Sequence, residues 1–208
     1  ANRRYSFSVT KIMELAQELF ENGLITYHRT DSPHVSEFGK NLAREFVKEN
    51  FGEELTYTRS WGDEGSHECI RPTRGIAVQS LRELIFEGDL FVATPLTNPH
   101  FVLYDLIFKR FVASQMKETK IRKQKAVIKA GDAKVEMERN IAVVEEGFSK
   151  ITPPYLQEPL KKSTKIPVKE IKSVTRSDKK LYTQADVIQL MKEKGLGRPS
   201  TYGQIISP

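Results

Sequence analysis

Apolar residues recur every three or four positions in several segments of the chain, which predicts helices with one buried face. The first helix is expected to begin after Ser8, whose hydroxyl can cap it, and to end at Gly23. The second is expected to begin after Ser36 and to end at Gly52. The predicted helices cover 9–20, 37–49, 78–86 and 103–116, and a last one begins in the capping-box sequence Thr183-Gln184-Ala185-Asp186.

Other segments have the composition and alternation that are typical of strands. Residues 120–129 and 134–144 alternate imperfectly around Ala130-Gly131-Asp132, which predicts a β-hairpin. The short segment 24–29 is rich in β-branched and aromatic residues, and we expect it to be extended. A further β-like stretch is expected up to about Val174.

The composition is that of a globular protein with a modest basic excess. Hydrophobic residues make up 38% of the 208 residues, and no apolar run approaches the ~20 residues that span a membrane. The one cysteine, Cys69, permits no internal disulfide, which suits a reducing cytosol. The net charge of +6 favours polyanionic partners only weakly. We interpret the basic stretches 117–129 and 161–180 as solvated hairpin faces, with a weak role in phosphate contacts as the alternative.

The segment Leu24-Ile25-Thr26-Tyr27-His28-Arg29-Thr30-Asp31-Ser32 places a phenol close to a cation. In an extended chain alternate side chains share a face, so Ile25, Tyr27 and Arg29 are expected together, with His28 packed or solvated on the other face. A phenol is a poor nucleophile at neutral pH because its ordinary pKa is about 10. A neighbouring cation stabilises phenolate character and the charge on a phosphate under attack. By themselves these two residues more often form a packed strand tyrosine beside a solvated arginine.

A second polar segment, His67-Glu68-Cys69-Ile70-Arg71-Pro72-Thr73, is predicted to form a loop, because Pro72 disfavours helix at Arg71. Such a loop can bring polar groups close to a phosphate, although an ordinary surface loop has the same composition. We expect Glu68 to pair with a nearby cation rather than act as a base. Cys69 is expected to be a small buried residue.

The third segment, Gly195-Leu196-Gly197-Arg198-Pro199-Ser200-Thr201-Tyr202, follows the last predicted helix, which its glycines are expected to end. Arg198, Ser200 and Thr201 stand where another helix would begin. Free backbone N–H groups, hydroxyls and a guanidinium at such a point can bind phosphate. Tyr202 can either stack on a base or pack in the core.

Together and in this order, the three segments resemble those of the type IA DNA topoisomerases. The Tyr-His-Arg-Thr-Asp-Ser wording and the His-Glu-Cys-Ile-Arg-Pro-Thr-Arg run, with Trp61-Gly62 before it, are most similar to the topoisomerase half of reverse gyrase. The resemblance covers essentially the whole chain. It implies that Tyr27 attacks a DNA phosphodiester and stays linked to the 5′ phosphate, and that Arg29 is the ligand of the phosphate and the transition state.

The same resemblance implies roles for the neighbouring residues. His67 would contact the nucleotide near the cleaved phosphate, Arg71 would contact backbone phosphate or brace its loop, and Asp31 would orient the local network. The third segment would grip single-stranded DNA upstream of the cleavage site, through Arg198, Ser200, Thr201 and Tyr202. The sequence departs from the family pattern at Pro33 and His34, where Thr-Arg is frequent, so the phosphate contacts of those positions are not carried over.

The implied fold class is α+β. A mainly helical catalytic-tyrosine domain with a small sheet, similar to a helix-turn-helix, is expected over 1–116, followed by a β-rich hinge or arch segment over 117–152. Residues 153–208 would be a truncated part of a single-strand DNA-binding domain. The family binds Mg²⁺ through an acidic cluster on a separate domain, and the loop pair Asp63-Glu64 lacks the strand context for it, so no metal ligand is predicted here. ATP would act only through a helicase-like half, since the chain has no phosphate-loop sequence.

These inferences predict the central part of a longer type IA topoisomerase, similar to reverse gyrase, that cleaves and rejoins one DNA strand and thereby changes supercoiling. Its expected partners are single-stranded DNA and the remaining domains of the parent chain, with no membrane. The expected location is the cytoplasm, associated with the nucleoid. We expect the 208 residues alone to be inactive. The alternative is a non-catalytic nucleic-acid-binding module in which Tyr27 is structural.

Overall fold

The computed structural model describes residues 1–62, 67–161, 170, 172 and 181–206. The predicted Asp63-Glu64 pair, most of the predicted β-like stretch up to Val174 and most of the basic stretch 161–180 lie outside these residues. The described residues form seven α-helices, two short 3₁₀ helices and a two-stranded antiparallel sheet, so the predicted α+β class is confirmed. Within this part of the chain, no helix is both long enough and apolar enough to cross a membrane.

The five helices with predicted ranges are all present, α7 begins just after the residues where another helix was expected, and one short helix was not predicted. A four-residue helix precedes the first predicted one, and it is too short to show a periodic pattern. The long apolar helix begins earlier than Leu103, because Pro99 lies in its first turn, where a missing backbone N–H costs nothing. The helices are α1 (Asn2–Tyr5), α2 (Val9–Glu21), α3 (Glu37–Phe51), α4 (Val78–Glu87), α5 (Asn98–Ser114), α6 (Gln184–Glu193) and α7 (Tyr202–Ile206).

The predicted helix caps explain where α2 and α3 begin. The Ser8 hydroxyl accepts a hydrogen bond from the backbone N–H of Lys11 at 3.1 Å, and the Ser36 hydroxyl accepts one from Gly39 at 3.2 Å. Each hydroxyl satisfies a backbone donor that the first turn of a helix leaves unpaired. Gly23, with φ of 67°, turns the chain sharply out of α2 and into the segment that carries Tyr27.

The core is built around α5, because α2, α3 and α4 all pack against it. Its largest fully buried side chains include Tyr104 and Phe108 from α5 and Leu15 and Leu19 from α2. The Tyr104 hydroxyl donates a hydrogen bond to the carbonyl of Ile76 at 2.7 Å, which satisfies its one polar group inside the core. This core supports the loops that lie between α2 and α4.

The segment 24–29, which was expected to be extended with alternating side chains, does not keep that alternation. Ile25 forms only an isolated β-bridge with Pro72, and the chain bends at Leu24, Thr26, His28 and Arg29. The bends break the alternation of side chains, so that Ile25 and His28 are both buried while Arg29 is exposed. The physical reason is that main-chain pairing with residues 71–73 extends only as far as Thr26 among the described residues, where the Thr26 N–H donates to the Arg71 carbonyl at 2.9 Å, and the chain then bends along the helical core.

The predicted hairpin is present as β1 (Lys120–Ala130) and β2 (Ala133–Glu145), which pair antiparallel around a turn at Gly131. The described residues place no further strand beside either edge. The Lys117 carbonyl accepts a hydrogen bond from the Phe148 N–H at 2.9 Å and closes the base of the hairpin, and the Lys117 N–H joins it to the helical part by donating to the Leu55 carbonyl at 2.9 Å. The hairpin therefore extends from the core rather than covering it.

The helices α6 and α7 lie against the first helices of the chain. The side-chain carbonyl of Gln184 accepts a hydrogen bond from the backbone N–H of Val9 at 2.9 Å. A Cβ atom placed on Gly203 of α7 would lie 3.6 Å from the Met13 side chain of α2. The third motif segment, which lies between α6 and α7, is thereby brought close to the helix that precedes Tyr27.

Candidate active site around Tyr27

Tyr27 is held between three aromatic rings at the point where the chain leaves α2. Phe20 meets it edge to face with ring centroids 5.4 Å apart, and His67 lies 5.1 Å away on the second motif segment. His28 is the third neighbour, at 5.7 Å. The Tyr27 side chain is half-buried, and its hydroxyl makes no hydrogen bond to any residue that the structure describes. The ring is positioned while the hydroxyl stays available.

The structure brings His67 and Tyr27 together, as the motif resemblance implied, although they are far apart in sequence. His67 is exposed, so its imidazole can reach a nucleotide that is bound over the tyrosine. The contact depends on the pairing of the two motif loops, residues 24–35 and 67–73, which we call the motif loops below.

Hydrogen bonds of the main chain and of two threonines hold the motif loops together. The Thr26 hydroxyl donates to the Cys69 carbonyl at 2.7 Å and accepts from the Arg71 N–H at 3.0 Å. At the other end, the Thr73 hydroxyl donates to the Gly23 carbonyl at 2.6 Å. Sequence reasoning missed both threonines, although a hydroxyl beside two segments without regular structure is a signal for such side-chain pairing.

Arg29 is exposed and follows Tyr27 by two residues, but its side chain is directed along α2. Its Nη2 donates to the Gln17 side chain at 3.3 Å, and its Nε donates to His28 Nε2 at 3.4 Å. It forms no ion pair with a carboxylate among the described residues. Two long hydrogen bonds to neutral acceptors leave its charge uncompensated and its direction adjustable, which are the properties a phosphate ligand needs.

His28 is a packed histidine, with only 5% of its surface exposed. Its Nδ1 is buried and has no hydrogen-bond partner among the described residues. Burial lowers the pKa of His28 from its ordinary value, and the nearby Arg29 guanidinium lowers it further, with a smaller opposing effect of Glu21. His28 is therefore held neutral underneath Tyr27 and Arg29.

Glu68 and Arg71 form a buried, bidentate ion pair, which confirms the expected pairing of Glu68 with a cation. Arg71 Nε and Nη2 donate to the two carboxylate oxygens at 2.8 and 2.7 Å, and the Ser36 hydroxyl donates to the same carboxylate at 2.7 Å. Burial alone would raise the pKa of Glu68, but the hydrogen bonds from Arg71 and Ser36 together hold it below its ordinary value.

Arg71 braces its loop, which was one of its two expected roles. It is 4% exposed, its Nη1 donates to the Pro72 carbonyl at 2.9 Å, and its guanidinium lies 5.3 Å from the centre of the Phe38 ring. A side chain this buried does not meet a DNA phosphate in this conformation. Gly39 makes the room for it, because a Cβ atom there would lie 2.8 Å from Arg71 Nε.

The remaining predicted residues of these loops are placed less tightly. Asp31 is exposed and has no hydrogen-bond or ion-pair partner within the described residues, so no contact here supports its orienting role. His34, at a position where the family pattern differs, has its Nδ1 3.1 Å from the Ser60 hydroxyl. Cys69 is largely buried as expected, and burial raises the pKa of its thiol to about 11, which disfavours thiol chemistry.

The third motif segment meets the active-site region through a cleft of about 310 Å³ between α2 and α7, lined by both Arg29 and Ser200. The Arg198 side chain is exposed. The Thr201 hydroxyl accepts from the Arg198 N–H at 2.9 Å and donates to the Arg198 carbonyl at 3.1 Å, so it serves the turn. Tyr202 is half-buried with its ring against Gly197, which favours packing over base stacking.

Among the described residues, no group of three or more His, Cys, Asp or Glu side chains is placed so that it could hold a metal ion. The site consists instead of a positioned phenol, an exposed imidazole, an uncompensated guanidinium and a buried ion pair beneath them.

Comparison with known proteins decides the family. The family model described as DNA topoisomerase matches residues 1–208. The chain belongs to the DNA topoisomerase family. The resemblance to type IA topoisomerases and reverse gyrase that the three motifs indicated is thereby confirmed.

Individual relatives agree with this family along the whole chain. The chain is 49% identical over 208 residues to "Reverse gyrase 1" of Aquifex aeolicus, covering 100% of this chain and 18% of that protein. It is 49% identical over 212 residues to the reverse gyrase of Pyrococcus furiosus, covering 99% of this chain and 17% of that protein. The solved structure of full-length topoisomerase I from Thermotoga maritima is similar with a TM-score of 0.70 and 30% identity, covering 99% of this chain and 35% of that one. The chain thus spans less than a fifth of the length of these reverse gyrases.

Proposed function

We propose that this chain carries the strand-cleaving tyrosine of a type IA topoisomerase of the reverse gyrase kind. One observation carries the proposal: the Tyr27 phenol is positioned by Phe20, its hydroxyl is hydrogen-bonded to none of the described residues, and an exposed His67 lies 5.1 Å from its ring. Membership of the topoisomerase family supplies the reaction class. A tyrosine that served only the core would be expected to bury its ring and pair its hydroxyl, as Tyr104 does.

In the proposed reaction, the phenolic oxygen of Tyr27 forms a bond to the phosphorus of a DNA phosphodiester, and the bond between phosphorus and the 3′ oxygen breaks. The phenol loses its proton and the 3′ oxygen gains one. One phosphodiester is exchanged for another, so rejoining needs no external energy. Arg29 stabilises the charge that develops on the phosphate, and His67 holds the adjoining nucleotide. Glu68 and Arg71 contribute indirectly, because they fix the loop that carries His67.

Other parts of the enzyme complete this proposal. The Mg²⁺ that the family implies does not fit the described residues of this chain, so we assign it to an acidic cluster on another domain and derive no step from it. ATP would act only in a helicase-like half. The substrate is single-stranded DNA, which would also contact Arg198 and Ser200, and we expect the enzyme to be cytoplasmic and associated with the nucleoid. Without those domains, we expect the 208 residues to form no covalent adduct.

The test is an adduct assay on the longer enzyme that contains this chain. Tyr27→Phe should abolish the covalent protein–DNA complex, measured by denaturing gel with a labelled strand, and leave single-strand binding within about twofold. Tyr155→Phe is a matched control, because Tyr155 is 80% exposed and lies outside the motifs. An adduct of normal yield in the Tyr27→Phe enzyme would refute the assignment.

The same assay separates the proposal from a non-catalytic binding module. A module binds single strands without ever forming an adduct, so an enzyme with all its domains that binds but never becomes linked to DNA supports the alternative. Arg29→Ala should slow cleavage much more than it weakens binding, because its charge matters most as the transition state forms. Equal losses in rate and affinity would make Arg29 a ground-state anchor only.

A further inference from the structure

Three alternate residues in the loop after α3 form an exposed stack of aromatic rings and a cation. The Arg59 guanidinium lies 4.9 Å from the centre of the Tyr57 ring and 4.4 Å from the centre of the Trp61 ring. Contacts at these distances are cation–π interactions. We call these three residues the aromatic ladder.

The aromatic ladder is fixed to the end of α5 rather than mobile on the surface. The Arg59 N–H donates to the side-chain carbonyl of Gln115 at 2.8 Å, and Arg59 Nε donates to the Ser114 carbonyl at 3.2 Å. The Tyr57 N–H donates to the main-chain carbonyl of Gln115 at 3.0 Å. Gln115 is completely buried, so the ladder rests on the core. Rings that are already ordered lose little conformational entropy when a ligand stacks on them.

The fixed rings are nevertheless turned toward solvent. Tyr57 is 55% exposed and Trp61 is 54% exposed, although large aromatic side chains are usually well buried. Arg59 forms no ion pair with a carboxylate among the described residues. Exposed aromatic faces beside a guanidinium are a combination that binds single-stranded nucleic acid, because bases stack on the rings while the cation meets a phosphate.

The ladder leads directly to the motif loops. Ser60, between Arg59 and Trp61, accepts a hydrogen bond from the Val35 N–H at 3.0 Å. Trp61 and His28 line the same cavity, of about 450 Å³, and a Cβ atom on Gly62 would lie 2.8 Å from Pro33. The ladder therefore lies beside the motif loop that carries Tyr27 and His28.

We propose that Tyr57, Arg59 and Trp61 bind unpaired bases of the same single strand that Tyr27 cleaves. The identity of the strand rests on the proposed function, whereas the binding of unpaired bases can be tested without any cleavage. The ladder would hold the strand by stacking, which tolerates any base sequence because every base has a π-face.

The chain provides its own probe, because Trp61 is its single tryptophan. An oligothymidylate of about twelve nucleotides should quench the tryptophan fluorescence, because stacked bases quench an indole. An oligonucleotide of equal length whose central positions are abasic should bind through phosphates but quench much less. Equal quenching by both oligonucleotides, or no quenching by either, would overturn the proposal, and absent quenching would leave this face to a protein partner.

Variants test the ladder independently of the fluorescence. By anisotropy of a labelled oligothymidylate, Tyr57→Ala and Trp61→Ala should each raise Kd about fivefold or more, the lower end of measured stacking contributions. Trp61→Phe should retain most of the affinity, which separates lost stacking from lost folding. Phe91→Ala is the matched control, since Phe91 is 86% exposed but lies in the loop after α4, and its Kd should not change. An unchanged Kd in both ladder variants would refute the proposal.

Tyr27→Phe connects the two proposals without confusing them. It should leave quenching and Kd unchanged, because it removes only the hydroxyl that reacts. If the longer enzyme never forms an adduct but the oligothymidylate still quenches the Trp61 fluorescence, the proposed function is refuted and the proposed binding by the ladder is supported. If cleavage occurs but the ladder variants bind the oligothymidylate normally, the proposed binding by the ladder is refuted and the proposed function is supported.

Discussion

The motif loops and the β-hairpin are both rich in charged residues, yet they use charge in opposite ways. In the motif loops, Arg71 is 5% exposed in its side chain and pairs with Glu68, which is 24% exposed. In the hairpin, Lys125 pairs with Glu138 at 3.2 Å while the two side chains remain 78% and 49% exposed. The first pair lies inside a folded loop, and the second lies on a ribbon in solvent.

The difference shows which region of the fold can hold a side chain in a precise position. A reactive side chain must be held within a fraction of an ångström, which loops can do only if something rigid lies beneath them. In the motif loops, the buried ion pair and the Thr26 hydroxyl supply that rigidity, and the half-buried Tyr27 and the exposed His67 lie on it. The hairpin has no such layer, because its backbone ladder holds the strands and its side chains mostly face solvent.

The strongest test of this contrast is to remove one partner of the buried pair. Arg71→Met should lower the free energy of unfolding by about 3–5 kcal/mol, because the variant leaves a partly buried carboxylate without its cation, with only the Ser36 hydroxyl as donor, and removes the donor to the Pro72 carbonyl. Urea unfolding followed by circular dichroism measures the loss. The longer enzyme with the same change should lose cleavage as well, since the loop of His67 would no longer be fixed.

The matched control is Lys125→Met, which removes one partner of the exposed hairpin pair by the same chemical change. It should change the free energy of unfolding by less than about 0.5 kcal/mol, as is usual for exposed pairs. A loss of similar size in both variants would show that burial does not determine how much these ion pairs contribute to the free energy of unfolding. The contrast between the two regions would then be wrong.

Gly39→Ala tests the packing around the buried Glu68–Arg71 ion pair by a change in α3. Helix propensity alone predicts a gain of about 1 kcal/mol from this change. The added Cβ would lie 2.8 Å from Arg71 Nε and 3.2 Å from Val35 Cγ1, so we expect the crowding to dominate and to cost about 1–3 kcal/mol in unfolding free energy. Gly203→Ala in α7 is the control, because its Cβ would find an ordinary contact at 3.6 Å. Stabilisation by Gly39→Ala would show that Arg71 moves aside without loss.

The sequence predicted the regular elements of the fold well, because periodic apolar positions and capping residues are local signals. Ser8 and Ser36 cap the helices that they were expected to cap, and the hairpin turns at Gly131. The helix before Ser6 is too short for any period, and α5 begins at Asn98 rather than at the predicted residue 103, because its first turn accommodates Pro99.

The site was predictable only in part, and for a different reason. The motifs identified Tyr27, Arg29 and His67, and the fold brings the first and last of these together. The pairing partners of the motif loops were not predictable, because Thr26 meets residues that are more than forty positions away. The expected alternation over 24–29 failed because main-chain pairing with residues 71–73 extends only to Thr26 among the described residues, and the chain bends at His28 and Arg29.

A smaller effect is expected from His28, which lies in the buried layer but has an unpartnered Nδ1. Its pKa in the folded chain is lowered mainly by burial, so the unfolded chain binds the proton more readily. Stability from this group is therefore fully present above the ordinary value of about 6.5 and is lost as the pH falls through the lower, folded pKa. His28→Leu should remove this loss, measured as the difference in urea midpoint between pH 7.5 and pH 5.5.

Comparison of the two proteins at each pH isolates His28, because the other titrating groups are common to both. The range stays above pH 5 so that the lowered pKa of Glu68 contributes little. An identical pH dependence in the wild type and the variant would mean that His28 is solvated, and the motif loops would then be less closed than the contrast requires.

The smallest effect is expected in the hairpin, where Glu138→Gln removes the carboxylate that lies 3.2 Å from Lys125 and 3.6 Å from Lys123. The hydrogen bond and the positive charge of Lys125 lower the pKa of Glu138, but all three side chains are largely solvated, so water replaces the lost contacts. The antiparallel ladder between β1 and β2 does not depend on these side chains. We therefore expect no measurable change in the unfolding midpoint at low or high salt, and no change in amide hydrogen exchange along the hairpin. Faster exchange confined to the hairpin would show that surface charge holds this region together, and the difference from the motif loops would be one of degree.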